Sequence, residues 1–126
     1  MTEEKELGKI EYTHLGFEDH GIMSFMIGFD FGTSGQGFGG YALDNYDKEV
    51  EKRIGTAYGM EAIMRILRAT GVEKWEDLVG KVCWVYREEQ RGNIVAIEAP
   101  EFTKHGEKFN IEEFNKNWAD DHKNEF

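Results

Sequence analysis

Between Phe29 and Asp44 the chain reads FDFGTSGQGFGGYALD, with five glycines and four aromatic residues in sixteen positions. Glycine permits positive φ and close backbone approach, but it loses more conformational freedom on folding than any other residue. Such a density of glycine beside Phe and Tyr rings leaves few options: a tight hairpin, a backbone-lined pocket, or a close interface. The spacing is not that of a phosphate loop, which needs a Lys-Ser/Thr pair and a following helix. Nor is it the dinucleotide fingerprint, whose glycines open a helix. A strand-like segment follows instead, and two readings stand. In one, the glycines relieve crowding against neighbouring rings, as strand glycines do at bends and close approaches. In the other, Gly35, Gln36, Phe38, Gly39, Gly40 and Tyr41 form a surface for a ligand or partner.

The surrounding periodicities place this stretch in an α+β fold. Ile10, Tyr12 and His14 alternate with polar residues over 8–15, a first strand, and 22–31 sets Met23, Phe25, Ile27, Phe29 and Phe31 on one side of a second. GTSGQG is expected to turn the chain and 38–44 to return it, with 45–53 a surface loop. Met60, Ile63, Met64 and Leu67 then fall at i, i+3, i+4 and i+7, predicting a helix over about 57–69 with this stripe inward, Thr56 as N-cap and Gly71 as stop. Residues 81–87 and 93–99 read as a second hairpin ended by Pro100, the only proline. Asn110 with Glu113 resembles a capping box opening a last helix with Ile111, Phe114 and Trp118 on one side. The expected architecture is a mainly antiparallel sheet with one central amphipathic helix packed on it and a short C-terminal helix. Residues 1–100 form the domain, and 101–126 an acidic, lysine-rich tail with a docking helix. The expected core is Phe25, Ile27, Phe29, Met60, Ile63, Leu67, Val82 and Ile97.

Composition narrows the function classes. At 126 residues and 40% apolar content the chain is one domain with a real core. No apolar run approaches the ~20 residues of a membrane span, and the acidic start MTEEKELGK reads as neither signal nor transit peptide. A lone cysteine, Cys83, excludes an internal disulfide or a multi-thiolate zinc site and suits a reducing cytoplasm. The net charge of −10 divides as −7 over residues 1–50, +1 over 51–97 and −4 over 98–126. Phosphate contacts supply most non-specific nucleic-acid affinity, so direct nucleic-acid binding is not expected.

Several side chains carry candidate chemistry. All five arginines (Arg53, Arg65, Arg68, Arg87 and Arg91) lie in the middle block; Arg65 and Arg68 read as a solvated helix face or, with the others, as an anion patch. His14, Glu18, Asp19 and His20 are the one cluster with metal-ligand chemistry, although their spacing matches no helix-borne motif and His20-Gly21 also reads as turn chemistry. Ser24 and Ser34 lack a nucleophile elbow, and Cys83 in VCWVY reads as a small core residue. The amides of Tyr58 and Gly59 at the helix start can face an anion, or Tyr58 can pack on the sheet. No cofactor is expected. The aromatic excess and the amphipathic tail point to a homo-oligomer.

LGFEDHG, GTSGQGFGGYALD, GTAYGMEAIMRIL and WEDLVGK, in this order over a little more than half of the chain, resemble a family of small, mostly uncharacterised proteins encoded by phages and prophages. That resemblance implies an accessory product acting in the cytoplasm of a bacterial host and supplies no catalytic residues. The expected function is non-enzymatic binding that counters host defence, by occluding a host protein or by sequestering a small anionic, nucleotide-like signal. The alternative is a small enzyme or a metal-dependent factor in phage nucleic-acid metabolism.

Overall fold

The alternation that begins at Ile10, Tyr12 and His14 runs further than the sequence predicts. In the computed structural model, which describes residues 4–88, 92–100 and 107–121, the first strand β1 spans Glu4–Phe17. It is followed by β2 (Met23–Asp30), β3 (Gly35–Ala42), β4 (Asp44–Asp47), β5 (Lys52–Gly55), helix α1 (Ala57–Thr70), a 3₁₀ turn at Trp75–Asp77, β6 (Val82–Arg87), β7 (Ile94–Glu98), β8 (Phe109–Asn110) and helix α2 (Ile111–Asp121). This is the expected α+β class. Six strands form one antiparallel sheet in the order β3-β2-β1-β6-β7-β8, while β4 and β5 pair separately.

The length of β1 organises the sheet. Its first part, Glu4–Lys9, pairs with β6, and Lys9–Phe17 pairs with β2, with an irregularity between Ile10 and Tyr12. Further shifts of register fall at Ser24/Met26 opposite β3 and at Tyr86/Arg87 opposite β7. Bulges of this kind bend strands and increase twist. The flanks of the sheet consequently meet: Gln36 on β3 donates from Nε2 to the Gly92 carbonyl oxygen at 2.9 Å, and the Phe38 ring meets Phe109 of β8 edge-on at 6.3 Å.

Inside the curl lie Phe25, Ile27, Phe29, Phe38, Val85, Ile97 and Phe109, joined by Ile66 from α1 and by Ile111 and Phe114 from α2. Phe25, Ile27, Phe29 and Ile97 are buried as expected, whereas Ile63 and Leu67 are half-buried and Met60 and Val82 are exposed. The ends of α1 follow its local signals: the Thr56 hydroxyl accepts from Gly59 N at 2.9 Å, and Gly71 stops the helix at φ 79°. Its inward face does not. The buried residues are Gly59, Ala62, Ile66, Ala69 and Thr70, so small side chains bring the helix close to the sheet and the Met60–Met64 strip turns outward.

Two local expectations change. The glycine run is itself strand: the turn is confined to residues 31–34, closed by Phe31 N to Ser34 O at 2.8 Å, and β3 begins at Gly35. The expected loop over 45–53 contains the β4–β5 hairpin. Its anchor is Arg53, which donates to both Asp44 carboxylate oxygens at 2.9 and 2.8 Å, while Met23 N–H donates to the same carboxylate at 3.2 Å. Asp44 is buried, and a bidentate charge-assisted pair holds it where a polar loop would leave its charge uncompensated. Asn110 caps α2 by accepting from Glu113 N at 3.0 Å, as its spacing predicts.

Candidate binding site

The strand period divides the glycine hairpin between two faces. Gln36, Phe38 and Tyr41 point into the curl. Phe38 is fully buried and packs edge-on against Phe25 at 5.7 Å, and Tyr41 stacks on Phe25 at 6.2 Å. Burial first, then the Glu112 carboxylate, raises the Tyr41 hydroxyl above its ordinary pKa. Gly39 forms the bulge opposite Met26 with φ 142°, and a Cβ there would stand 2.3 Å from the Phe25 carbonyl oxygen. Gly40 has φ 85°, and a Cβ there would meet only Met26 Cε, at 3.8 Å. On the outer face Gly28 lies under Tyr12, whose ring passes 2.0 Å from where a Gly28 Cβ would be. The glycines thus make room for backbone and rings of this chain itself.

Arg65 and Arg68 do not join the hairpin. Both lie on α1 and pair with Glu61, at 2.8 and 3.6 Å, and the Arg65 guanidinium stands 5.6 Å from the Phe114 ring centre. Arg65 borders a groove of about 330 Å³ between the helices, with Glu61, Phe109, Phe114 and Trp118. Tyr58 lies close by, its hydroxyl donating to Asn115 Oδ1 and its ring stacked on Phe114, the packing role weighed for it; burial, first of its causes, raises its pKa. At the start of α2 the Glu112 carboxyl is raised, first by its hydrogen bond with Glu88 and then by burial.

The remaining described arginines have carboxylate partners too. Arg87, buried, donates to Gln36 Oε1 at 2.7 Å and Glu4 Oε1 at 2.9 Å, pairs with Glu6 at 3.0 Å, and lies 4.6 Å from the Phe31 ring centre. It holds the start of β1 to the curled edge of the sheet. Arg53 serves Asp44, and its bonds hold that carboxyl below the usual range. No common anion patch gathers from these four; Arg91 lies outside the described residues. Likewise, among the described residues no three His, Cys, Asp or Glu side chains come together as metal ligands, so His14 on β1 is not gathered with Glu18, Asp19 and His20 of the β1–β2 turn. Cys83 is a core residue, its thiol pushed up to about 12 by burial.

Two surfaces were missed by sequence reasoning. One is the outer strip of α1, with Met60 64% and Met64 39% exposed beside a groove of about 390 Å³ bounded by Leu67, Arg68 and Val72. The other is an open cleft of about 560 Å³ where the β1–β2 turn meets the β4–β5 hairpin, lined by Phe17, His20, Gly21, Tyr46, Lys52 and Arg53. Its one available signal was Phe17 beside a charged turn, and Tyr46 and Lys52 sat in the segment read as loop. Among the described residues no helix is long and apolar enough to cross a membrane. Comparison of the chain with protein-family models, with curated proteins and with solved structures finds no match.

Proposed function

We propose that this chain is a non-enzymatic binding protein, an accessory product of a phage or prophage in the bacterial host cytoplasm, and that it counters host defence by covering a host protein. The observation that carries this reading is the outer strip of α1. Met60 and Met64 stand in solvent one turn apart, and the apolar surface continues through Leu67 to Val72. Methionine is unbranched and polarisable and adapts to varied partner surfaces, and contiguous exposed apolar surface marks interaction sites. The net charge of −10 adds a field that favours a basic partner.

The test is made in bacteria whose defence system blocks a challenge phage. The wild-type chain restores plaques, and the Met60→Glu/Met64→Glu double variant does not, although its thermal midpoint is unchanged. A wild-type chain that leaves every defence intact removes the host-defence assignment. A double variant that restores plaques as well as wild type removes the α1 strip as the docking surface.

A further inference from the structure

We infer that the cleft between the β1–β2 turn and the β4–β5 hairpin is a binding site for a free nucleotide, a flat heteroaromatic ring carrying a phosphate. Two kinds of unsatisfied side chain converge there. Phe17 is 71% exposed and Tyr46 55%; among the described residues the former is the most exposed large apolar side chain, and neither ring is packed on another ring. Among the described residues Lys52 and His20 form no ion pair, and Arg53, though bound to Asp44 through Nε and Nη2, has no hydrogen bond at Nη1.

The charge of the cleft runs against that of the chain. The sequence carries 25 acidic against 15 basic side chains, yet no carboxylate lines this cleft, whereas His20, Lys52 and Arg53 do. Glu18 and Asp19 are neighbours in the turn but do not line it. The Asp47 carboxylate, on the strand opposite Lys52, accepts from Glu49 N at 2.8 Å and does not line the cleft.

Each feature fits one part of a nucleotide. Base–aromatic stacking is tolerant of base identity and is strengthened by nearby cations. A guanidinium and an ammonium together attract a phosphate, Arg53 here donating through Nη1 alone and Lys52 acting as a point charge. The buried Asp44 carboxylate fixes Arg53 in place, so less side-chain freedom is lost on binding. A long single strand fits less well, because its further phosphates would meet the acidic remainder of the molecule. This inference does not depend on the α1 strip or on a role in host defence.

The experiment titrates the full chain by calorimetry at low salt with adenosine and guanosine monophosphates, with adenosine alone, with inorganic phosphate alone, and with a six-residue oligothymidine. At least one mononucleotide binds roughly tenfold or more tightly than either fragment, because ring and phosphate are held together. Phe17→Ala and Tyr46→Ala each weaken it by roughly tenfold, and Lys52→Glu by a similar factor, with circular dichroism and thermal midpoint unchanged. The Met60→Glu/Met64→Glu variant retains full nucleotide affinity, so the α1 reading and this one fail separately. A mononucleotide no better than its fragments, or affinities within twofold of wild type in the cleft variants, overturns the inference. Tighter binding of the oligothymidine overturns its assignment to a free nucleotide.

Discussion

The hairpin β2–β3 and the small hairpin β4–β5 follow one another in the chain and use their residues in opposite ways. In β2–β3 the conspicuous residues are consumed by the fold: Phe38 is buried, Gln36 bridges Arg87 and Gly92, and Gly39 admits the Phe25 carbonyl. In β4–β5 a polar segment with no conspicuous pattern is fixed by one buried pair, Arg53–Asp44, and leaves Tyr46 and Lys52 free beside Phe17. A dense and unusual sequence feature therefore marks where packing is tightest. Side chains available to another molecule stand where packing has left groups without partners.

The sharpest test of that contrast is Gly39→Ala. A methyl group 2.3 Å from a backbone oxygen, at φ 142°, combines overpacking with backbone strain, and we expect a loss of about 2–5 kcal/mol in chemical denaturation. A stable Gly39→Ala protein would show that the bulge is not scaffold. Next comes the acid limb of the stability curve. Because Arg53 lowers the folded-state pKa of Asp44, the contribution of this pair is fully present above the ordinary carboxylate value of about 3.9 and is lost as pH falls through the lower folded value. Wild-type thermal midpoints should accordingly fall more steeply than those of Asp44→Asn as pH drops from about 4 toward 2. Parallel curves would remove the pair as the anchor of β4–β5.

Gly40→Ala is milder: φ is 85°, but the nearest atom is Met26 Cε at 3.8 Å. It should cost about 1 kcal/mol, the strain of a left-handed residue without a clash. Both substitutions meet positive φ, so neither position behaves as an ordinary strand glycine that accepts alanine at no cost. The smallest expected effect is at the cleft: Phe17→Ala and Tyr46→Ala should stay within about 0.5 kcal/mol of wild type, as exposed substitutions do. A larger loss at either would mean that these rings hold the hairpin and are not free.

What the sequence made legible was local. Hydrophobic alternation placed the middle of β1 and all of β2, the hairpin reading of 81–87 and 93–99 placed β6 and β7, and capping chemistry placed both ends of α1 and the start of α2. These depend on a few neighbouring residues, and local rules are sufficient for them. The inward face of α1 was not legible, because two apolar strips run along the helix. Met60, Met64 and Leu67 are the larger, but Gly59, Ala62, Ile66 and Ala69 permit the closer approach to the sheet. Side-chain size favours one strip, and backbone distance decided for the other.

The candidate sites were less legible still. Gly35, Gln36, Phe38, Gly39, Gly40 and Tyr41 are contiguous in sequence, yet the period of the strand sends them to two faces, and Arg65 and Arg68 pair with Glu61 on the helix. The cleft joins Phe17 and His20 to Tyr46, Lys52 and Arg53 across more than twenty residues. By itself the sequence determined the α+β class, the helix ends and the place of the glycine hairpin, because propensity, capping and alternation act over a few residues. Only the tertiary structure decided which face of α1 is buried, which arginines are satisfied, and which rings and cations remain without partners. Those outcomes depend on distances between segments far apart in the chain, set when the sheet curls and its flanks meet.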